Sequence, residues 1–142
     1  KASRYAKSLA PTNCFMGIIK DKKILVCEDN LINQLFIKEI FTVFGKDNID
    51  IAKDGLEAVT MCQTKEYDLI LMDIQMPRLN GVEATKVIKT MINYDNIPII
   101  ALTANVFPEH ISEYLHSGMK DFLVKPIDIN HFKKIIAKHL LG

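Results

Sequence analysis

Leu69-Ile70-Leu71-Met72-Asp73 decides the fold: four apolar residues in unbroken succession end on a single acid. A half-exposed strand alternates apolar and polar residues, whereas a run apolar at every position has both faces covered, as in a parallel sheet between layers of helices. Two more runs have this character, Ile24-Leu25-Val26-Cys27 and Ile97-Pro98-Ile99-Ile100-Ala101-Leu102, and all three are predicted interior strands. Ile49-Asp50-Ile51-Ala52 alternates and Phe122-Leu123-Val124 is short, which predicts strands nearer the two edges. Segments of helical period separate the runs. Ile32, Leu35, Phe36, Ile40, Val43 and Phe44 are read as the apolar stripe of a first helix, closed by Gly45. Asp54-Gly55-Leu56-Glu57 resembles a capping box that opens a second helix to about residue 64. Further helices are expected from about Val82 to Ile92, Phe107 to His116 and Ile129 to Leu140, the last capped by Asp128. Five βα units around a parallel sheet result, an α/β fold.

Composition narrows the function. With 142 residues the chain builds one domain with a real core. Lys+Arg 18 against Asp+Glu 17 gives no electrostatic case for nucleic acid, so none is expected to bind. Cys14, Cys27 and Cys62 are an odd number without metal-ligand spacing, which argues against a disulfide framework or zinc site and fits a reducing cytosol. No apolar run reaches the roughly 18 residues of a membrane span, and no signal-peptide pattern opens the chain, so the domain is expected to be cytoplasmic without membrane contact of its own. Residues 1–20 hold one apolar patch, Phe15-Met16-Gly17-Ile18-Ile19, but no sustained period, and are read as linker or N-terminal extension before a domain at 21–142. A start at Lys1 rather than Met suggests a piece of a longer protein.

In an open parallel sheet the functional crevice lies beyond the carboxyl ends of the strands. The first run stops at Glu28-Asp29, the third at Asp73, the fourth at Thr103-Ala104 and the fifth at Lys125-Pro126. Three carboxylates, a hydroxyl and an ammonium are therefore expected at one edge. Unit charges about 4 Å apart repel by about 4 kcal/mol at an effective dielectric near 20, so crowded acids demand a positive partner. Lys125 supplies one charge, and the all-oxygen donor set favours a hard dication such as Mg²⁺. With that compensation a carboxylate can attack phosphorus, and the spatially central acid is the candidate.

Val26-Cys27-Glu28-Asp29-Asn30 with Asn33-Gln34, Leu71-Met72-Asp73-Ile74-Gln75-Met76-Pro77 with Asn80-Gly81, Ala101-Leu102-Thr103-Ala104, and Val124-Lys125-Pro126 occur in this order at the strand ends. Together they make residues from about Lys23 to Leu140 resemble the receiver domain of response regulators and hybrid sensor kinases. The resemblance implies a flavodoxin-like, doubly wound (βα)5 fold with strand order 2-1-3-4-5. It implies that Asp73 accepts a phosphoryl group from a phosphohistidine on a histidine kinase or histidine phosphotransfer domain. It also implies Mg²⁺ held by Glu28, Asp29, Asp73 and the backbone carbonyl of Gln75. Glu28, where many relatives carry aspartate, is expected to act through water. Lys125 and Thr103 would each meet a phosphoryl oxygen, and Pro126 would follow a cis peptide bond. A switch is implied in which Thr103 moves to the phosphoryl group and Phe122 moves inward, changing the surface near the fourth helix and fifth strand. Phe122 lacks the hydroxyl of the tyrosine in some relatives, and Gln75 and Asn105 stand where the family tunes the lifetime of the phosphorylated state.

The expected parent is a hybrid sensor histidine kinase, with a stand-alone single-domain regulator as the alternative and a weak homodimer left open. A magnesium-dependent phosphatase with an aspartate nucleophile is disfavoured, because its second aspartate is replaced by Gln75. A flavin module is disfavoured because Glu28-Asp29-Asn30 would repel a phosphate at the first helix. His110, His116, His131 and His139 share no ligand spacing, apart from His110 with Glu113 one turn on, and none reads as a phosphodonor.

Overall fold

Apolar strands and capped helices alternate through the computed structural model, which describes residues 15–141. Five strands, β1 (Ile24–Cys27), β2 (Asp50–Ala52), β3 (Leu69–Asp73), β4 (Ile99–Thr103) and β5 (Asp121–Val124), form one parallel sheet in the order β2-β1-β3-β4-β5. This is the order the resemblance implies. Helices α1 (Leu31–Val43), α2 (Gly55–Thr64), α3 (Gly81–Ile88), α4 (Pro108–Ser117) and α5 (Ile129–Leu141) cover it.

The strands that read as apolar throughout, β1, β3 and β4, are buried along their whole length. Their side chains alternate between two cores. Leu25, Cys27, Ile70, Met72 and Ala101 pack with residues of α2, α3 and α4. Val26, Leu69, Leu71, Ile100 and Leu102 pack with α1 and α5. The helices start where the sequence offers a cap: Asn30, Asp54, Asn80 and Asp128 each accept a backbone N–H three residues on, at 2.8–3.0 Å. α4 is different, with Pro108 in its first turn and no side-chain cap from Phe107.

Three expectations need correction. The stripe assigned to α1 is out of phase: Ile37, Ile40, Phe41 and Phe44 face the core, while Ile32 (75% exposed), Leu35 (56%), Phe36 (45%) and Val43 (54%) face outward. The helix is apolar on two overlapping faces, and the sheet takes the one spaced i, i+3, i+4, i+7 from Ile37. α3 ends at Ile88 rather than about residue 92, where Lys89 donates to the carbonyls of Tyr94 and Ile97 and Asn93 adopts φ 76°. β4 begins after Pro98, which has no N–H for the ladder.

The stretch read as linker also differs where it is described. Residues 15–19 are helical, and Phe15 and Ile19 are fully buried in the core under α1 and α5. Phe15 meets Phe44 edge to face at 4.8 Å between ring centroids, and Lys46 donates to the Lys20 carbonyl at 3.0 Å. Residues 1–14, including Cys14, lie outside the described residues.

Candidate functional site

The strand registers assemble the site. Cys27 pairs with Met72, so Glu28 and Asp73 stand side by side one residue further on. Asp73 pairs with Leu102 and Thr103 with Val124, which brings Thr103 and Lys125 to the same rim. Backbone bonds carry each register to its end: Glu28 N–H to the Ala52 carbonyl, Ile74 N–H to Leu102, and Lys125 N–H to Thr103. The result is a cleft of about 490 Å³ lined by Glu28, Asp29, Asp73, Gln75, Thr103 and Lys125, among others.

Lys125 is the electrostatic centre. Its Nζ donates to Glu28 Oε1 at 2.8 Å and to Asp73 Oδ2 at 2.9 Å. The other oxygens are engaged too: Glu28 Oε2 accepts the Asn30 N–H at 3.1 Å, and Asp73 Oδ1 accepts the Gln75 N–H at 3.2 Å. Burial pushes the Asp73 carboxyl up, and the neighbouring Glu28 adds to this against the pull of Lys125, leaving it at about 6. Burial acts on Glu28 in the same direction, but Lys125, the Asn30 N–H and the Asp73 carboxyl together hold it below its ordinary value. Burial alone would lower Lys125, yet the two carboxylates keep its ammonium above the usual lysine range. The two carboxyls titrate as a unit, with Asp73 pushed up and Glu28 held down.

Asp29 completes the cluster. One carboxylate oxygen from each of Glu28, Asp29 and Asp73 lies within 4.8 Å of the others, the one such group of potential metal ligands among the described residues. Asp29 is exposed and, among these residues, its carboxylate makes no ion pair or hydrogen bond. An all-oxygen set with one uncommitted carboxylate fits a hard dication.

The loop from β3 to α3 is pressed against this centre. A Cβ on Gly81 would collide with the Asp73 carbonyl oxygen, so only glycine lets the helix start so close behind the acid. The Gly81 N–H closes the loop on the Ile74 carbonyl at 2.9 Å. On the other side of the cleft the Lys125–Pro126 bond is cis. Phe122 is half-buried against the α2–α4 core. Thr103 is buried, with its hydroxyl 3.0 Å from that of Tyr114, a residue that sequence reasoning did not single out. His110 and Glu113 both line the cleft. His139 pairs with Asp121 at 2.9 Å, away from it.

Comparison with known proteins identifies the family of the chain. The sequence model for the response regulator receiver domain matches residues 24–137. The osmosensing histidine protein kinase SLN1 of Saccharomyces cerevisiae is 41% identical over 121 residues, covering 82% of this chain and 10% of the yeast protein. The chain thus spans only a small part of that relative. Among solved structures, the receiver domain of the sensor histidine kinase PA1611 from Pseudomonas aeruginosa PAO1, with a magnesium ion coordinated in its active site cleft, superposes with a TM-score of 0.79 at 35% identity, covering 85% of this chain and 98% of that one. The receiver domain of the Saccharomyces cerevisiae response regulator Ssk1, solved with the histidine phosphotransfer protein Ypd1, gives a TM-score of 0.78 at 30% identity, covering 86% and 90%. On its matched sequence and its sheet order alike, the chain belongs to the response regulator receiver domain family of two-component signalling.

Proposed function

We propose that Asp73 is the phosphoacceptor, taking a phosphoryl group from a phosphohistidine on a histidine kinase or histidine phosphotransfer domain. An Asp73 oxygen forms the new O–P bond as the N–P bond breaks, and the electron pair of that bond stays on the imidazole. The observation that supports this most is the shared lysine: Lys125 holds Glu28 and Asp73 together at 2.8 and 2.9 Å and offers its charge where phosphoryl oxygens arrive. Thr103 is the hydroxyl that turns to a second phosphoryl oxygen, and Phe122 is the aromatic that follows it. Asp29, Asp73, the Gln75 carbonyl and Glu28 would hold Mg²⁺ in the cleft; bound there, the ion would neutralise charge on the carboxylates and on the transferred group. The protein's own part is to hold the acceptor oxygens still and to keep the ammonium in place.

The outward stripe of α1, Leu31, Ile32, Leu35 and Phe36, lies directly after Asp29 and is the surface on which the histidine-bearing partner seats. The parent is best read as a hybrid histidine kinase rather than a stand-alone regulator. Intact-mass spectrometry after treatment with phosphoramidate and Mg²⁺ tests the assignment. One phosphoryl adduct is expected on the unaltered protein and none on Asp73→Ala; an undiminished adduct on the variant would overturn it.

A further inference from the structure

The Thr103 hydroxyl is already committed. It accepts the Asn105 N–H at 2.9 Å, lies 3.1 Å from the Asn105 carbonyl, and sits 3.0 Å from the Tyr114 hydroxyl. Tyr114 in turn donates toward the same Asn105 carbonyl at 3.3 Å. Two hydroxyls and one peptide carbonyl thus close a small ring, in which the proton of each hydroxyl has a partner inside the ring. None is left over for the cleft. Tyr114 is 3% exposed, so a bond lost by its hydroxyl costs more than it would at the surface.

We infer that Tyr114 is a positioning residue that holds the Thr103 hydroxyl back from Asp73 and makes α4 the element that registers its departure. The inference rests on the reading of Asp73 as phosphoacceptor and Thr103 as its hydroxyl partner. For Thr103 to donate to a phosphoryl oxygen its proton must leave the ring, and as the side chain turns toward the cleft the buried Tyr114 hydroxyl keeps only the longer bond to Asn105. That loss opposes the phosphorylated state. It is also felt at one place, because Tyr114 is anchored in α4 and packs in the core shared with α2 and α3. The start of α4 has little else to hold it: no side chain caps it, and the Phe107 N–H reaches Asn105 Oδ1 at 3.2 Å, on the same residue that closes the ring. The hydroxyl that Phe122 does not offer from the fifth strand is thus supplied by the fourth helix.

Beryllofluoride, which occupies a phosphoryl site at equilibrium, separates this positioning role from a merely structural one. Its affinity is measured by calorimetry with excess Mg²⁺ for the parent, Tyr114→Phe, Thr103→Ala and the double variant. Tyr114→Phe should bind about fivefold tighter, the size of one net neutral hydrogen bond. The difference should vanish when Thr103 is Ala and return when it is Ser. Equal affinity of parent and Tyr114→Phe, or the same gain in the Thr103→Ala background, overturns the inference. Amide exchange on the unaltered protein provides a second reading: beryllofluoride should speed exchange at Asn105, whose N–H loses Thr103 Oγ1, and unchanged exchange there also overturns it. A parent that binds no beryllofluoride removes the Asp73 reading itself, and this inference with it.

Discussion

Asp73 is 5% exposed and shares one ammonium with a second carboxylate, so its ionised form is held in place at a free-energy cost. In metal-free protein its carboxyl titrates near 6, against 3.8 for an unperturbed aspartate. Between those values the folded chain keeps a proton that the unfolded chain has lost. The stability contributed by this group therefore falls as pH rises from about 4 to about 6, and the loss is complete above that. At about 1.4 kcal/mol per pH unit the loss is on the order of 3 kcal/mol. Asp73→Asn removes the titration and leaves Lys125 paired with Glu28. In EDTA, urea unfolding should find Asp73→Asn more stable than the parent at pH 7.5, with the two converging near pH 4; a pH-independent gap would contradict the assigned burial effect. The acids were legible in the sequence because each ends an apolar run, and strand ends meet at one rim. Tyr114 was not, because its partner lies across a loop and a helix, and a tyrosine at a buried helical position reads as core.

At the level of elements, five strands and five helices followed from periodicity and caps, since Asp54 and Asp128 do cap α2 and α5. Phase was the weak point. A helix with Leu31, Ile32, Leu35, Ile37, Ile40 and Phe41 has more apolar residues than one face can bury, and nothing local says which face meets the sheet. The surplus is where a partner is expected. Ile32→Asp and Leu35→Glu should leave the urea midpoint almost unchanged, within about 0.5 kcal/mol for exposed positions. Phosphoramidate labelling should also persist. Transfer from a histidine-bearing partner should fall at least about tenfold, the effect of losing roughly 1.4 kcal/mol at an interface. Undiminished transfer in both variants would place the docking surface elsewhere.

Across the whole molecule the packed core takes in residues ahead of the boundary at residue 21 drawn from sequence. Phe15 and Ile19 close the core over Phe44, a contact between distant segments that a five-residue apolar patch cannot announce by period. Phe15→Ala should cost about 3–5 kcal/mol, read as a lowered urea midpoint, and a chain started at Lys20 should be weakened similarly. An unchanged midpoint would mean that the turn is a passenger.

The parallel registers carry a lesson in arithmetic. Glu28, Asp73, Thr103 and Lys125 meet because the registers fix each strand end against the next: Glu28 beside Asp73, Thr103 one residue past Asp73's partner Leu102, and Lys125 one residue past Thr103's partner Val124. One residue inserted or deleted inside β1, β3 or β4 would throw the following side chain onto the opposite face and scatter the quartet. Spare length added to the turns at the far rim disturbs no such count. The molecule can therefore be lengthened on that side while the chemistry opposite stays in step.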